Sequence, residues 1–162
     1  MEIRPYDPDD DERDLWALKR AFERGLGANT GGDEKEAVYE GKLTDAYRER
    51  YIDWVERCTE DDPNCVTVAA GDDGLAGYAF VLPERLSMIW DAAVLNEVYV
   101  APDHRGTGVA DELIEAALAT ARDQDLPLDR TVLDVDPNND RAKSFYDRYG
   151  FERWGEMVAR QL

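Results

Sequence analysis

The sequence predicts a single α/β domain in which a mixed sheet is flanked by helices, and three observations point there. Two short runs rich in β-branched and aromatic residues, Cys65 to Ala70 and Leu75 to Leu82, flank the turn Gly71-Asp72-Asp73-Gly74, which is the pattern of an antiparallel hairpin. Two later strand-like runs, ending at Val100 and Val135, are each followed by apolar residues at helical spacing, as in βα units. At 162 residues, with 43% hydrophobic and 10% aromatic content, the chain has enough apolar surface for one real core.

The elements follow in order. Glu2 to Tyr6 reads as a short strand, and Asp9 to Gly25 as a helix with Leu15, Leu18 and Phe22 on one face and Gly25 as its stop. Gly25 to Gly32 is glycine-rich and is expected to be mobile. Asp33 to Glu60 carries Val38, Tyr47, Tyr51, Trp54, Val55 and Cys58, which predicts one or two helices with a break at Gly41. After the hairpin, Met88 to Val100 predicts a long strand, or a loop and then a strand. Gly108 to Arg122 is a helix with Leu113, Ile114, Ala117 and Leu118 inward. Thr131 to Val135 is a strand, Asn138 to Tyr149 a helix, and Phe151 to Arg160 a closing strand.

Composition excludes several classes. No 18-residue apolar run occurs, and Met1-Glu2-Ile3-Arg4-Pro5 does not read as a signal peptide, so a cytoplasmic protein with no membrane partner is expected. Cys58 and Cys65 have no second cysteine pair, and His104 is the one histidine; two reduced thiols are expected, and no zinc site. Thirty-seven acidic against 19 basic residues give a formal charge of −18, spread along the whole chain. Such density repels itself in ordinary buffer and is screened by salt, as in proteins adapted to a salt-rich cytoplasm. The other reading is a surface that recruits cationic substrates such as polyamines or basic peptides. Nucleic acid is excluded as a partner, because phosphate contacts need a basic face.

The most informative stretch is Val98-Tyr99-Val100-Ala101-Pro102-Asp103-His104-Arg105-Gly106-Thr107-Gly108-Val109-Ala110. A strand, a loop with an arginine and two glycines, and a helix start bring free amides, a helix dipole and a cation together, which suits a phosphate. The dinucleotide fingerprint fails, because its third glycine would fall at Asp111, and no Gly-Lys-Ser/Thr is present. What remains is Arg105-x-x-Gly108-x-Ala110, which on its own is equally a βα turn whose glycines permit tight backbone angles.

A second constellation is Asn139-x-x-Ala142-x-x-Phe145-Tyr146-x-x-x-Gly150-Phe151, behind the strand Thr131 to Val135. With these two motifs, in this order and at this distance, the stretch from Leu75 to Phe151 resembles the GCN5-related N-acetyltransferase (GNAT) superfamily. The resemblance implies a splayed, mostly antiparallel sheet of six to seven strands with about four helices. Residues 1–63 would then form the acceptor side and 64–162 the acetyl-CoA-binding core. Acetyl-CoA would be the cosubstrate, a primary amine on a small molecule or peptide the acceptor, and a homodimer is plausible. Val98, Tyr99 and Val100 would pair with the pantetheine arm. The amides of Arg105, Gly106, Thr107, Gly108, Val109 and Ala110 would hold the pyrophosphate, with the Arg105 head group as an extra contact. Thr107 would add a hydroxyl or simply cap the helix, capping being the simpler role.

In that family the motif places the catalytic acid at Tyr146, whose phenol can protonate the departing thiolate. Phe145 and Tyr149 read as packing. Asn139 would bond the pantetheine arm or cap its helix. The base that deprotonates the acceptor is sought at Glu97 or Asp134; Glu97 reads equally as an ion-paired strand carboxylate. Relatives often carry acid where this chain has Asn96, which could orient a water, and positions 96 and 97 fall on opposite faces unless a bulge intervenes. Asp134-Val135-Asp136-Pro137-Asn138 begins like a calcium loop, but Asn139 and Phe145 stand where glycine and glutamate are needed, so no metal is expected. His104 reads as a surface contact, and Trp16, Trp54, Trp90 and Trp154 as apolar core or cleft lining. A non-catalytic acyl-CoA sensor and an enzyme using another acyl donor are the alternatives.

Overall fold

Five strands lie side by side in the order of the sequence in a computed structural model that describes residues 1–29 and 32–162. They are β1 (Glu2–Pro5), β2 (Val66–Gly71), β3 (Gly74–Val81), β4 (Ala93–Val100) and β5 (Thr131–Val132). The helices are α1 (Pro8–Asn29), α2 (Gly32–Lys42), α3 (Asp45–Asp61), α4 (Glu84–Ser87), α5 (Val109–Arg122) and α6 (Asp140–Arg148). Strands β1 to β4 pair antiparallel, and β5 joins β4 in parallel through Ala93–Thr131 and Val94–Val132 alone. The mixed sheet flanked by helices is thus as expected, with five strands and six helices among the described residues where six to seven and about four were anticipated.

The sheet separates two cores. On one face α1 and α3 bury Leu15, Trp16, Leu18, Tyr51, Ile52, Val55 and Cys58 against Tyr78, Phe80, Val66 and Val68. On the other, α5 buries Val109, Leu113, Ile114 and Ala117 against Ala79, Val81, Leu95 and Val100. Alternation along β3 produces this division, with Tyr78 and Phe80 pointing one way and Ala79 and Val81 the other. At Gly77 a Cβ would stand 2.6 Å from the Tyr99 carbonyl oxygen, so a side chain there would force β3 away from β4.

Several boundaries differ from the sequence reading. Helix α1 does not stop at Gly25 but runs on to Asn29, so the expected mobile segment Gly25 to Gly32 is helical as far as Asn29; Thr30 and Gly31 lie outside the described residues. Gly41 is inside α2, and the break comes after Lys42, where the Thr44 hydroxyl caps α3 by accepting from the Tyr47 N–H at 3.2 Å. The stretch before β4 holds α4 and a turn at Met88 to Trp90, so the strand begins only at Ala93.

Strand β5 has two residues instead of five, and Phe151 to Arg160 is not a strand. That segment has alternating sequence character but no ladder partner, and Trp154, Met157 and Val158 are exposed. Trp16 is core as expected, whereas Trp90 and Trp154 are about half exposed, and Arg130 stacks over Trp154 at 5.4 Å. Among the described residues no helix is long and apolar enough to cross a membrane.

Candidate functional site

The site begins where the sheet comes apart. After Val94–Val132 the chain beyond β5 leaves the ladder, while β4 continues to Val100 with only β3 beside it. The Ala101 N–H donates to the Ala76 carbonyl at 2.8 Å, so strand alternation turns the backbone groups of Val98 and Val100 away from β3, into the gap. The Val100 carbonyl accepts from Arg105 Nε at 3.1 Å, and the guanidinium lies 5.7 Å from the Tyr99 ring centre. Arg105 therefore folds back onto the open edge of β4. The Val98 N–H and C=O and the Val100 N–H are left facing the gap.

The loop that follows is shaped by its glycines. Gly106 and Gly108 have φ of 74° and 92°, and a Cβ built at either meets no atom within 4 Å. Glycine thus supplies both the left-handed backbone and an open concavity. Gly108 is the N-cap of α5 and offers no side chain to its first amides. Thr107 does not cap the helix, contrary to expectation; its hydroxyl donates to the His104 carbonyl at 2.6 Å and closes the preceding turn. The amides at the start of α5 are therefore unclaimed by any cap, at the positive end of a 14-residue helix.

Tyr146 joins this region through the second core. Val98, Val100, Val109, Ala110, Phe145, Tyr146 and Tyr149 belong to one apolar cluster, which brings the open strand, the α5 start and α6 together. The Tyr146 ring packs edge-on against Phe145 at 5.4 Å and Phe151 at 5.6 Å, and its hydroxyl bonds to none of the described residues. Burial pushes its pKa up to about 12. Tyr149 is held differently, its hydroxyl donating to Asp111 at 2.6 Å. Asn139 caps α6, accepting from the Ala142 N–H at 3.2 Å, and so takes one of the two roles left open for it.

The other face holds the carboxylate. Phe80 pairs with Glu97 and Val81 with Leu95, so Asn96 is an extra residue, a β-bulge. The bulge that the strand alternation left open is present. Leu95 faces α5 while Glu97 faces α1 and α3, and Asn96 is exposed. Glu97 is saturated. Its Oε1 lies 2.6 Å from Lys19 Nζ, and its Oε2 accepts from Tyr51 and Tyr78 hydroxyls at 2.9 and 2.8 Å. Lys19 also meets Glu23 at 2.6 Å, and Glu23 meets Lys42 at 2.6 Å. Burial works against the Lys19 charge, but Glu97 and Glu23 outweigh it and raise its pKa. Burial likewise opposes the Glu23 charge, and Lys19 and Lys42 reverse it, holding its pKa below the usual carboxylate range. Asp134 stands apart, exposed on the chain just past β5.

Lys19, Glu23, Tyr51 and Tyr78 were not among the expected site residues. A signal for two of them exists: Leu15, Lys19 and Glu23 follow at four-residue steps, which places a lysine and a glutamate on the apolar stripe of α1.

Comparison with known proteins agrees with this architecture. The model of the Acetyltransferase (GNAT) family matches residues 32–151. A mycothiol acetyltransferase of Salinispora tropica is 43% identical over 74 residues, 44% of this chain and 24% of its own length. An uncharacterized N-acetyltransferase of Mycobacterium bovis is 36% identical over 101 residues, 61% of this chain and 60% of its own. The chain therefore spans less than two thirds of these curated relatives. The crystal structure of the PaiA N-acetyltransferase of Thermoplasma acidophilum in complex with coenzyme A superposes with a TM-score of 0.71 at 20% identity, covering 93% of this chain and 89% of that one. With the family model matched over most of its length and the fold shared, the chain belongs to the GNAT acetyltransferase family.

Proposed function

We propose that the chain is an N-acetyltransferase that moves the acetyl group of acetyl-CoA directly onto a primary amine, without a covalent enzyme intermediate. The observation that carries this reading is the gap beyond Val94–Val132, where open backbone groups of β4 run into an uncapped helix N-terminus. A pantetheine arm presents amides of the kind that Val98 and the Val100 N–H can meet, and a pyrophosphate suits the amides of Gly106 to Ala110. The Arg105 N–H, expected among them, is taken by the Pro102 carbonyl at 3.2 Å. The coenzyme A bound to the Thermoplasma fold relative supports the same choice of cosubstrate. Residues 1–63 form the acceptor side in this reading, and 64–162 the cosubstrate side.

Bound acetyl-CoA supplies an activated thioester. The chain's own residues handle the protons. Tyr146 Oη gives its proton to the departing sulfur; with a pKa near 12 it stays protonated at neutral pH and is ready to donate. Glu97 already holds four donors, the neighbouring Asn96 Nδ2 at 3.5 Å among them, so its part is to keep a negative charge beside the open strand and attract the acceptor's ammonium. Asn96, exposed at the bulge, orients the water that takes the acceptor's proton, and Asp134 is the alternative base.

Replacing Tyr146 with Phe tests the reading. Turnover should fall by about 10²- to 10⁴-fold, the usual contribution of a positioned acid, while calorimetry shows acetyl-CoA bound as before. Unchanged turnover would remove Tyr146 from the chemistry, and failure of the wild type to bind acetyl-CoA would remove the function.

A further inference from the structure

Glu97, Lys19, Glu23 and Lys42 form a file of alternating charges leading from β4 out to α2, each contact 2.6 Å long. The first three side chains are 5–7% exposed, and Lys42 stands at the mouth at 32%. Its ammonium is held by Glu23 Oε2, by the Tyr39 ring at 4.3 Å and by the Tyr47 ring at 5.4 Å, with Lys35 at 5.3 Å from the same Tyr39 ring. A buried carboxylate flanked by two aromatic faces is the chemistry that binds a primary alkylammonium. Glu23 Oε2 is sealed from solvent and accepts no hydrogen bond from the rest of the described residues, so without an ammonium in this place that oxygen is left unpaired, while Oε1 keeps Lys19 Nζ at 2.6 Å and the Tyr47 hydroxyl at 3.3 Å.

We infer that Glu23, Tyr39 and Tyr47 form a seat for a ligand's ammonium, and that Lys42 is an internal stand-in displaced when the ligand arrives. The inference deepens the transferase reading and rests on it for the ligand's role as acceptor. The seat lies one lysine beyond Glu97, which adjoins the open strand. It therefore takes the far end of an acceptor whose other amine reaches β4: an aliphatic diamine. Two features ease the exchange. Helix α2 packs chiefly on α1, so Lys42 can swing away with little else disturbed, and the net charge of −18 draws cations to the surface.

The test is calorimetric binding of 1,4-diaminobutane and n-butylamine at fixed ionic strength, followed by thiol release from acetyl-CoA. Wild type should bind the diamine more tightly than the monoamine. Lys42→Met, which empties the seat, should tighten diamine binding about tenfold, the worth of one desolvated cation–π and ion-pair contact. Tyr39→Leu added to Lys42→Met should abolish that gain. Diamine affinity in Lys42→Met that is unchanged or weaker would make Lys42 a structural pin and overturn the seat. If the diamine binds as expected but releases no thiol, the seat stands and the transferase reading falls.

Discussion

Lys19 and Glu97, 78 positions apart in sequence, meet at 2.6 Å inside the protein and fasten α1 to the middle of β4. Each is almost fully covered, and the same ammonium also neutralises Glu23. Buried pairs of this kind contribute little relative to an apolar replacement of both partners, but removal of one partner strands the other.

Lys19→Met should therefore cost about 3–5 kcal/mol of unfolding free energy, since two buried carboxylates lose their shared cation. Urea denaturation measures it. The double variant Lys19→Met, Glu97→Gln should recover part of the loss, giving a non-additive cycle. An additive result would mean that the two side chains do not depend on one another.

Gly108→Ala separates the backbone role of the loop from its binding role. Its φ of 92° costs a side chain about 1–2 kcal/mol, and no atom is near enough to clash, so the protein should fold with a modestly lower Tm. The added methyl enters the concavity in front of the α5 amides. Acetyl-CoA affinity by calorimetry should fall roughly ten- to a hundredfold, the loss of one or two amide–phosphate bonds.

Stability should also decline in alkali. Tyr51 and Tyr78 are raised well above the ordinary tyrosine value, first by burial and then by the Glu97 charge. The unfolded phenols ionise near 10, so above that pH the unfolded state loses protons that the folded state keeps. The contribution is fully present below about pH 10 and drains at about 1.4 kcal/mol per tyrosine per pH unit above it. Denaturation curves from pH 8 to 11 should show this slope, and Tyr51→Phe should flatten it.

The sequence carried much of this. The Asp-Gly hairpin and the apolar spacing of α5 and α6 act through local chemistry, and they appear within a residue or two of the expected bounds. The Arg105 to Ala110 loop was legible for the same reason, since its two glycines mark the positive φ values found there. Helix α1 was misjudged at its end because Gly25 costs a helix only about 1 kcal/mol, which packing can override. The charge file was invisible for another reason. Nothing local ties Lys19 to Glu97 or Tyr51 to Tyr78; only the stacking of α1 and α3 on β3 and β4 brings them together. The end of β5 was missed because a ladder depends on a partner strand, and strand character in Phe151 to Arg160 supplies none.

The extra residue at Asn96 has a consequence for how β4 tolerates change. A strand is a two-beat pattern, and Asn96 is a skipped beat: before it odd-numbered residues face α5, and after it they face α1 and α3. Substituting Asn96 leaves the rhythm intact. Deleting it would set Leu95 directly beside Glu97, and ordinary alternation puts neighbours on opposite faces, so the residues downstream would keep their sides. The phase breaks only if β4 closes on β3 with Asn96 inside the ladder, which would drive the Glu97 carboxylate under α5 and turn Val98 toward Lys19. Asn96 is thus a supernumerary residue that β4 must hold out of the ladder, and a strand one residue shorter would keep the fold while giving up the exposed amide beside Glu97.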